Sequence, residues 1–135
     1  MILVGGGSGM APLLSILLDQ AASGETRPVR FFYGARTARD LFELEQFAEL
    51  EARMPDFKFI PALSHPEDGE AWAGETGFIH DVLRQHLLAI DDVEEADAYS
   101  CGPPPMIDSA IPIMQVAGIE PTRIYFDKFT PATTL

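Results

Sequence analysis

The chain has 135 residues, 47% of them hydrophobic, and 9 Lys+Arg against 21 Asp+Glu give a formal net charge of −12. That length suits one domain with a real core, since a chain this size buries about two-thirds of its unfolded surface. The acidity argues against nucleic acid and anionic membrane as partners, no apolar run approaches the ~18–20 residues of a spanning helix, and the single cysteine, Cys101, excludes an internal disulfide framework or a multi-cysteine metal site. Met10–Leu18 is broken by Pro12 and Ser15 and has no basic flank, so it does not read as a signal peptide. A reducing, cytoplasmic setting is expected.

In chain order, Met1–Val4 reads as an apolar strand that runs into Gly5, Gly6, Gly7, Ser8 and Gly9. Met10–Ala22 follows as a helix with Pro12 in its first turn, where proline costs little. Leu13, Leu14, Leu17 and Leu18 are its core-facing residues. Val29–Tyr33 is a second strand stopping at Gly34, and Asp40–Arg53 a second helix with Asp40 as N-cap and Leu41, Leu44, Phe47 and Ala48 as its apolar face. Glu43, Glu45, Glu49 and Glu51 form a solvated face of that helix or, on the other reading, a docking surface. Phe57–Leu63 is a third strand; Ser64–Gly74 is an acidic surface loop; Thr76–Leu88 carries a third helix with Ile79, Val82, Leu83 and Leu87 inward. Asp97–Cys101, Pro104–Ala117 and Arg123–Phe126 complete the pattern as strand, helix and strand. The expected fold is α/β: a three-layer sandwich whose five-stranded parallel sheet has helices on both faces.

Strand, glycine run and helix is a layout that binds phosphate, because N–H groups and the helix dipole at the helix start favour an anion. The dinucleotide fingerprint is incomplete: Gly7-Ser8-Gly9-Met10-Ala11-Pro12 has proline where a third glycine is usual. The second strand ends Tyr33-Gly34-Ala35-Arg36, without the acid an ordinary Rossmann dehydrogenase would carry there. There is no P-loop lysine, and Met10 breaks the nucleophile-elbow pattern around Ser8. His65, His80 and His86 lack metal-ligand spacing. Trp72 is a loop anchor or, alternatively, a cover for an adenine.

Four segments in this order, MILVGGGSGMAPLL (1–14), FFYGARTARDL (31–41), SCGPPPMID (100–108) and YFDKF (125–129), resemble the pyridine-nucleotide domain of the ferredoxin–NADP reductase superfamily. Within it the chain looks most like the reductase components of bacterial multicomponent oxygenases, of the phenol hydroxylase and methane monooxygenase type. The resemblance implies an NADH-binding domain spanning 1–135, a fragment without its flavin-binding barrel and [2Fe-2S] domain. The full enzyme would pass hydride from NADH to FAD and electrons through the iron–sulfur centre to an oxygenase component. By the same resemblance Gly7, Ser8, Gly9 and Pro12 surround the pyrophosphate, and Gly34, Ala35 and Arg36 lie beside the adenosine ribose. Cys101, Gly102, Pro103 and Pro104 border the nicotinamide. Gly6, Met10, Tyr33 and Met106 complete the cofactor-binding set. Phe129 matches the terminal aromatic that covers the flavin, and Asp127 stands where many relatives carry Glu. Taken without its neighbours, Cys101 reads as a small buried strand-end hydrophobe, whereas the Gly102-Pro103-Pro104 that follows favours a nicotinamide-edge position; Phe129 is either a core aromatic after the last strand or that flavin cover.

NADPH-preferring members of the superfamily often follow the third strand with Ser-Arg. Here the segment is Leu63-Ser64-His65-Pro66-Glu67-Asp68, whose acids oppose a 2′-phosphate, so NADH is expected; Arg36 and Arg39 are the only nearby cations. The alternative function is a non-catalytic nucleotide-binding or partner-docking module of the same fold. A hydrolase using Ser8 or Cys101 lacks a base partner.

Overall fold

The computed structural model describes residues 1–7, 10–24, 26–69 and 71–129. Its strands are β1 (Ile2–Gly6), β2 (Val29–Ala35), β3 (Phe57–Leu63), β4 (Glu75–Thr76), β5 (Ala98–Gly102) and β6 (Ile124–Lys128). They form one parallel sheet in the order β4-β3-β2-β1-β5-β6. The helices are α1 (Met10–Ser23), α2 (Leu44–Arg53), α3 (Ile79–Leu87) and α4 (Pro104–Val116). The three-layer parallel architecture agrees with the sequence pattern, but the sheet has six strands where that pattern predicts five. The additional strand, β4, pairs with Ala62 and Leu63 at the end of β3. Gly77 follows it with φ +114°, a conformation that favours glycine, and its N–H bonds the Leu63 carbonyl at 2.9 Å. The third helix therefore starts at Ile79, after the strand and turn that occupy the predicted first helical residues.

The strand pleat divides the core in two. Leu3, Phe31, Tyr33, Leu63 and Cys101 pack with Leu13 and Leu17 of α1 and Phe47 and Leu50 of α2. Ile2, Val4, Phe32, Ala62 and Ala98 pack with Ile79, Val82, Leu83 and Leu87 of α3 and Ala110 and Met114 of α4. Leu18, a core position by its spacing, is 45% exposed. Asp40 does not cap α2. Its carboxylate accepts the Thr37 N–H at 3.3 Å and the Thr37 hydroxyl at 3.1 Å, closing a 3-10 turn at Ala38–Asp40. The helix begins four residues later, after Glu43 at φ 61°, which rotates its buried stripe onto Phe47 and Leu50 and leaves Leu44 and Ala48 exposed.

Because β4 covers only the end of β3, the rest of β3 is an edge. Glu51 accepts the Phe59 N–H at 3.0 Å, and Pro61 has no N–H to offer, so the edge presents few free donors. At the opposite, N-terminal end of the sheet, Asp97 accepts from Arg27 at 2.7 Å and Arg123 at 3.0 Å. These two guanidinium groups, Arg27 first, hold its carboxyl below the ordinary range. Among the described residues, no helix is long and apolar enough to cross a membrane.

Candidate functional site

The chain runs outward from β1 through β2 and β3 to β4, then crosses back to lay β5 and β6 on the other side of β1. The reversal lies between β1 and β5, and open α/β sheets bind ligands in the crevice at the C-terminal ends of strands at such a point. Here Gly5 stands opposite Cys101. A Cβ on Gly6 would lie 2.6 Å from Met106 Sδ and 3.3 Å from Pro103 Cδ; one on Gly102 would lie 2.8 Å from Met106 Cε and 3.2 Å from the Gly6 nitrogen. The two glycines thus let the strand ends close together beneath Met106.

The two helix starts flanking this crevice differ chemically. After β1 the chain turns at Gly7, with φ +59° and open space where its Cβ would be, and α1 begins at Met10. After β5, α4 begins with Pro103 as N-cap and Pro104 and Pro105 as its first residues. Those three positions have no N–H, and the Met106 and Ile107 amides bond the Pro103 carbonyl at 3.1 and 3.3 Å. One side of the crevice thus suits an anion, and the other offers an uncharged, donor-poor wall.

Ser8 and Gly9 lie outside the described residues. Pro12 is exposed in the first turn of α1, whereas the Met10 side chain is buried in the core. Tyr33 is fully buried: its hydroxyl donates to the Gly7 carbonyl at 2.9 Å and accepts the Phe42 N–H at 3.0 Å. Burial, above all, raises the Tyr33 pKa. Gly34 leaves no room for a side chain beside Ile79, and Ala35 is half-buried. Arg36 is exposed; its carbonyl accepts the His65 N–H at 2.8 Å, and the Ala35 carbonyl accepts the Ser64 N–H at 2.9 Å, so the loops after β2 and β3 are tied together. Among the described residues Arg36 makes no ion pair, while Arg39 pairs with Glu67.

Cys101 is buried on the α1/α2 side, opposite Asp127 of β6; burial and then the Asp127 charge push its thiol pKa up. Both causes disfavour the thiolate, the reactive form of a cysteine. Phe129 donates its N–H to the Gly102 carbonyl at 2.8 Å and packs half-buried against the α1/α2 core, beside the crevice. Asp127 is exposed.

Trp72 is an anchor: its Nε1–H donates to the Glu75 carbonyl at 2.7 Å, and its ring covers Gly74, where a Cβ would come within 2.5 Å. The aromatic exposed at this edge is instead Phe78, 55% exposed, stacked on His80 at 5.6 Å and met edge-on by His65 at 6.1 Å. The sequence pattern assigns Phe78 no role; its signal is an aromatic directly after a turn glycine at a strand end. No group of three or more metal-ligating side chains occurs among the described residues.

A family model described as the oxidoreductase NAD-binding domain matches residues 3–111. The chain belongs to that family. It is 42% identical over 133 residues to the propane 2-monooxygenase reductase component of Mycolicibacterium goodii, covering 96% of this chain and 37% of that protein. It is 40% identical over 131 residues to a component of the Na(+)-translocating NADH-quinone reductase of Psychrobacter arcticus, covering 96% and 32%. The crystal structure of the Amycolatopsis cytochrome P450 reductase GcoB superposes with a TM-score of 0.84 at 34% identity, over 98% of this chain and 38% of that one. The chain therefore spans about a third of the length of the curated relatives it matches.

Proposed function

We propose that this domain binds NADH and presents its nicotinamide ring to a flavin held outside these 135 residues, as part of a reductase that supplies electrons to an oxygenase. The observation that carries the reading is the chemical asymmetry of the crevice: glycines and a helix start on the β1 side, three consecutive prolines on the β5 side. A dinucleotide has the matching asymmetry, with a charged pyrophosphate in its middle and a flat nicotinamide amide at one end. Similarity to an oxygenase reductase component and to a cytochrome P450 reductase points to an oxygenase-type acceptor.

When bound, NADH supplies a hydride. The Gly7 turn and the first turn of α1 would hold the pyrophosphate, and Arg36 would stand over the ribose. Phe78 would offer its exposed face to the adenine. Gly102, Pro103 and Met106 would wall the nicotinamide, keeping water and competing hydrogen bonds away from the reacting ring. Phe129, held by its bond to the Gly102 carbonyl, would close the flavin side. An iron–sulfur centre would need more cysteines than the one this chain carries. On this reading that centre and the barrel holding the FAD belong to other parts of the reductase.

NADH is preferred over NADPH because a 2′-phosphate needs two or more fixed cations, and one of the two nearby arginines, Arg39, is paired with Glu67. Titration calorimetry with ADP-ribose and its 2′-phosphorylated form tests this. The reading requires tighter binding of ADP-ribose; tighter binding of the phosphorylated form would reverse it.

A further inference from the structure

We infer that Tyr33 is a positioning residue whose hydroxyl sets the phosphate-binding geometry of the glycine turn by tying the Gly7 carbonyl to the Phe42 amide. This role rests on the NADH-binding reading and adds to it a residue that never touches the ligand.

The ring of Tyr33 is fully buried and has one place to lie. It stacks on Phe31 at 5.6 Å with an 8° angle between planes and meets Phe47 edge-on at 6.0 Å. Three buried aromatics, on β2 and α2, therefore aim one hydroxyl at the C-terminal edge of the sheet. There it uses its proton on Gly7, at 2.9 Å, and a lone pair on the Phe42 N–H, at 3.0 Å. Both partners sit where regular structure has ended: Gly7 just past β1 and Phe42 between the 3-10 turn and α2.

Among the described residues nothing lies within 4 Å of the place a Gly7 Cβ would take, so their packing there does not hold the turn. The hydroxyl does. Because a peptide unit is planar, holding the Gly7 carbonyl toward Tyr33 fixes how the Gly7 backbone is turned at the end of β1. The same hydroxyl holds Phe42 at a set distance from the turn, joining the segment after β2 to the one after β1. Phenylalanine at 33 would keep the ring packing and remove this bridge, leaving a carbonyl and an amide short of a partner.

The test is Tyr33→Phe in the purified chain, titrated with ADP-ribose and separately with adenosine, which lacks the phosphates. ADP-ribose affinity should fall by about tenfold, or 1.4 kcal/mol, and adenosine affinity should stay as in wild type. Unchanged ADP-ribose binding, or equal losses for both ligands, would overturn the inference. Should the variant not fold, amide spectra of the wild type decide: on adding ADP-ribose the Phe42 amide must shift together with that of Gly7, and a stationary Phe42 overturns the tie. A wild-type chain that does not bind ADP-ribose overturns the NADH reading and this role with it. Wild-type binding that Tyr33→Phe leaves intact overturns the tie alone.

Discussion

Gly34 and Ile79 meet backbone to side chain: a Cβ on Gly34 would sit 2.7 Å from Ile79 Cβ and 3.0 Å from Ile79 Cγ2. The contact seats α3 on the sheet directly below the loops that follow β2 and β3. Gly34→Ala should push α3 outward and lower stability by about 1–3 kcal/mol, the usual cost of overpacking. Chemical denaturation measures it. A variant as stable as wild type would show that α3 is not held in register by this glycine.

Cys101 and Asp127 make a second testable pair. Burial and the neighbouring carboxylate both keep the thiol protonated. Alkylation by iodoacetamide at neutral pH should run at least about tenfold slower than for an exposed cysteine, since the thiolate is the reactive form. Asp127→Asn removes the negative charge, lowers the thiol pKa and should speed the reaction. Fast alkylation of the wild type would place Cys101 in solvent and contradict its burial.

At the far end of the sheet, Asp97 carries a pH-dependent share of the stability. Its folded carboxyl lies below the ordinary value of 3.8, so it contributes stability above the unfolded pKa and loses it as pH falls through the folded pKa. Asp97→Asn should cost about 1–2 kcal/mol near neutral pH, discounted for partial exposure. The difference from wild type should shrink as pH drops below about 4. Urea melts across that range measure it; a difference independent of pH would mean that the Arg27 and Arg123 bridges contribute nothing through charge.

Much of this layout is legible in the residues, and the gaps have physical causes. The bounds of β3 agree with the sequence reading residue for residue, because Phe57–Leu63 is a compact apolar run between turns. No period is visible in two residues, so β4 leaves no signature; what creates it is the positive φ at Gly77 and pairing to the end of β3. Asp40 carries a helix-start signal that a 3-10 turn uses instead. At the site, spacing identifies the glycine turn and the proline run, but a linear pattern cannot tell a residue that touches a ligand from one that holds the residue that does. On the inference above Tyr33 is of the second kind; it has no accessible surface. Phe78 has no pattern of its own, and only the fold reveals that it is exposed just past the end of β4.

Comparing ADP-ribose with NADH on the isotope-labelled chain, followed by amide spectra, tests the central claim most directly. The account places the pyrophosphate at the β1 turn and the nicotinamide at the β5 end of one crevice. Both ligands should therefore shift the Gly7, Met10 and Arg36 amides, while NADH alone should shift those of Gly102, Met106 and Phe129. Shifts confined to the N-terminal edge around Arg27 and Arg30, or none at any of these amides, would contradict it.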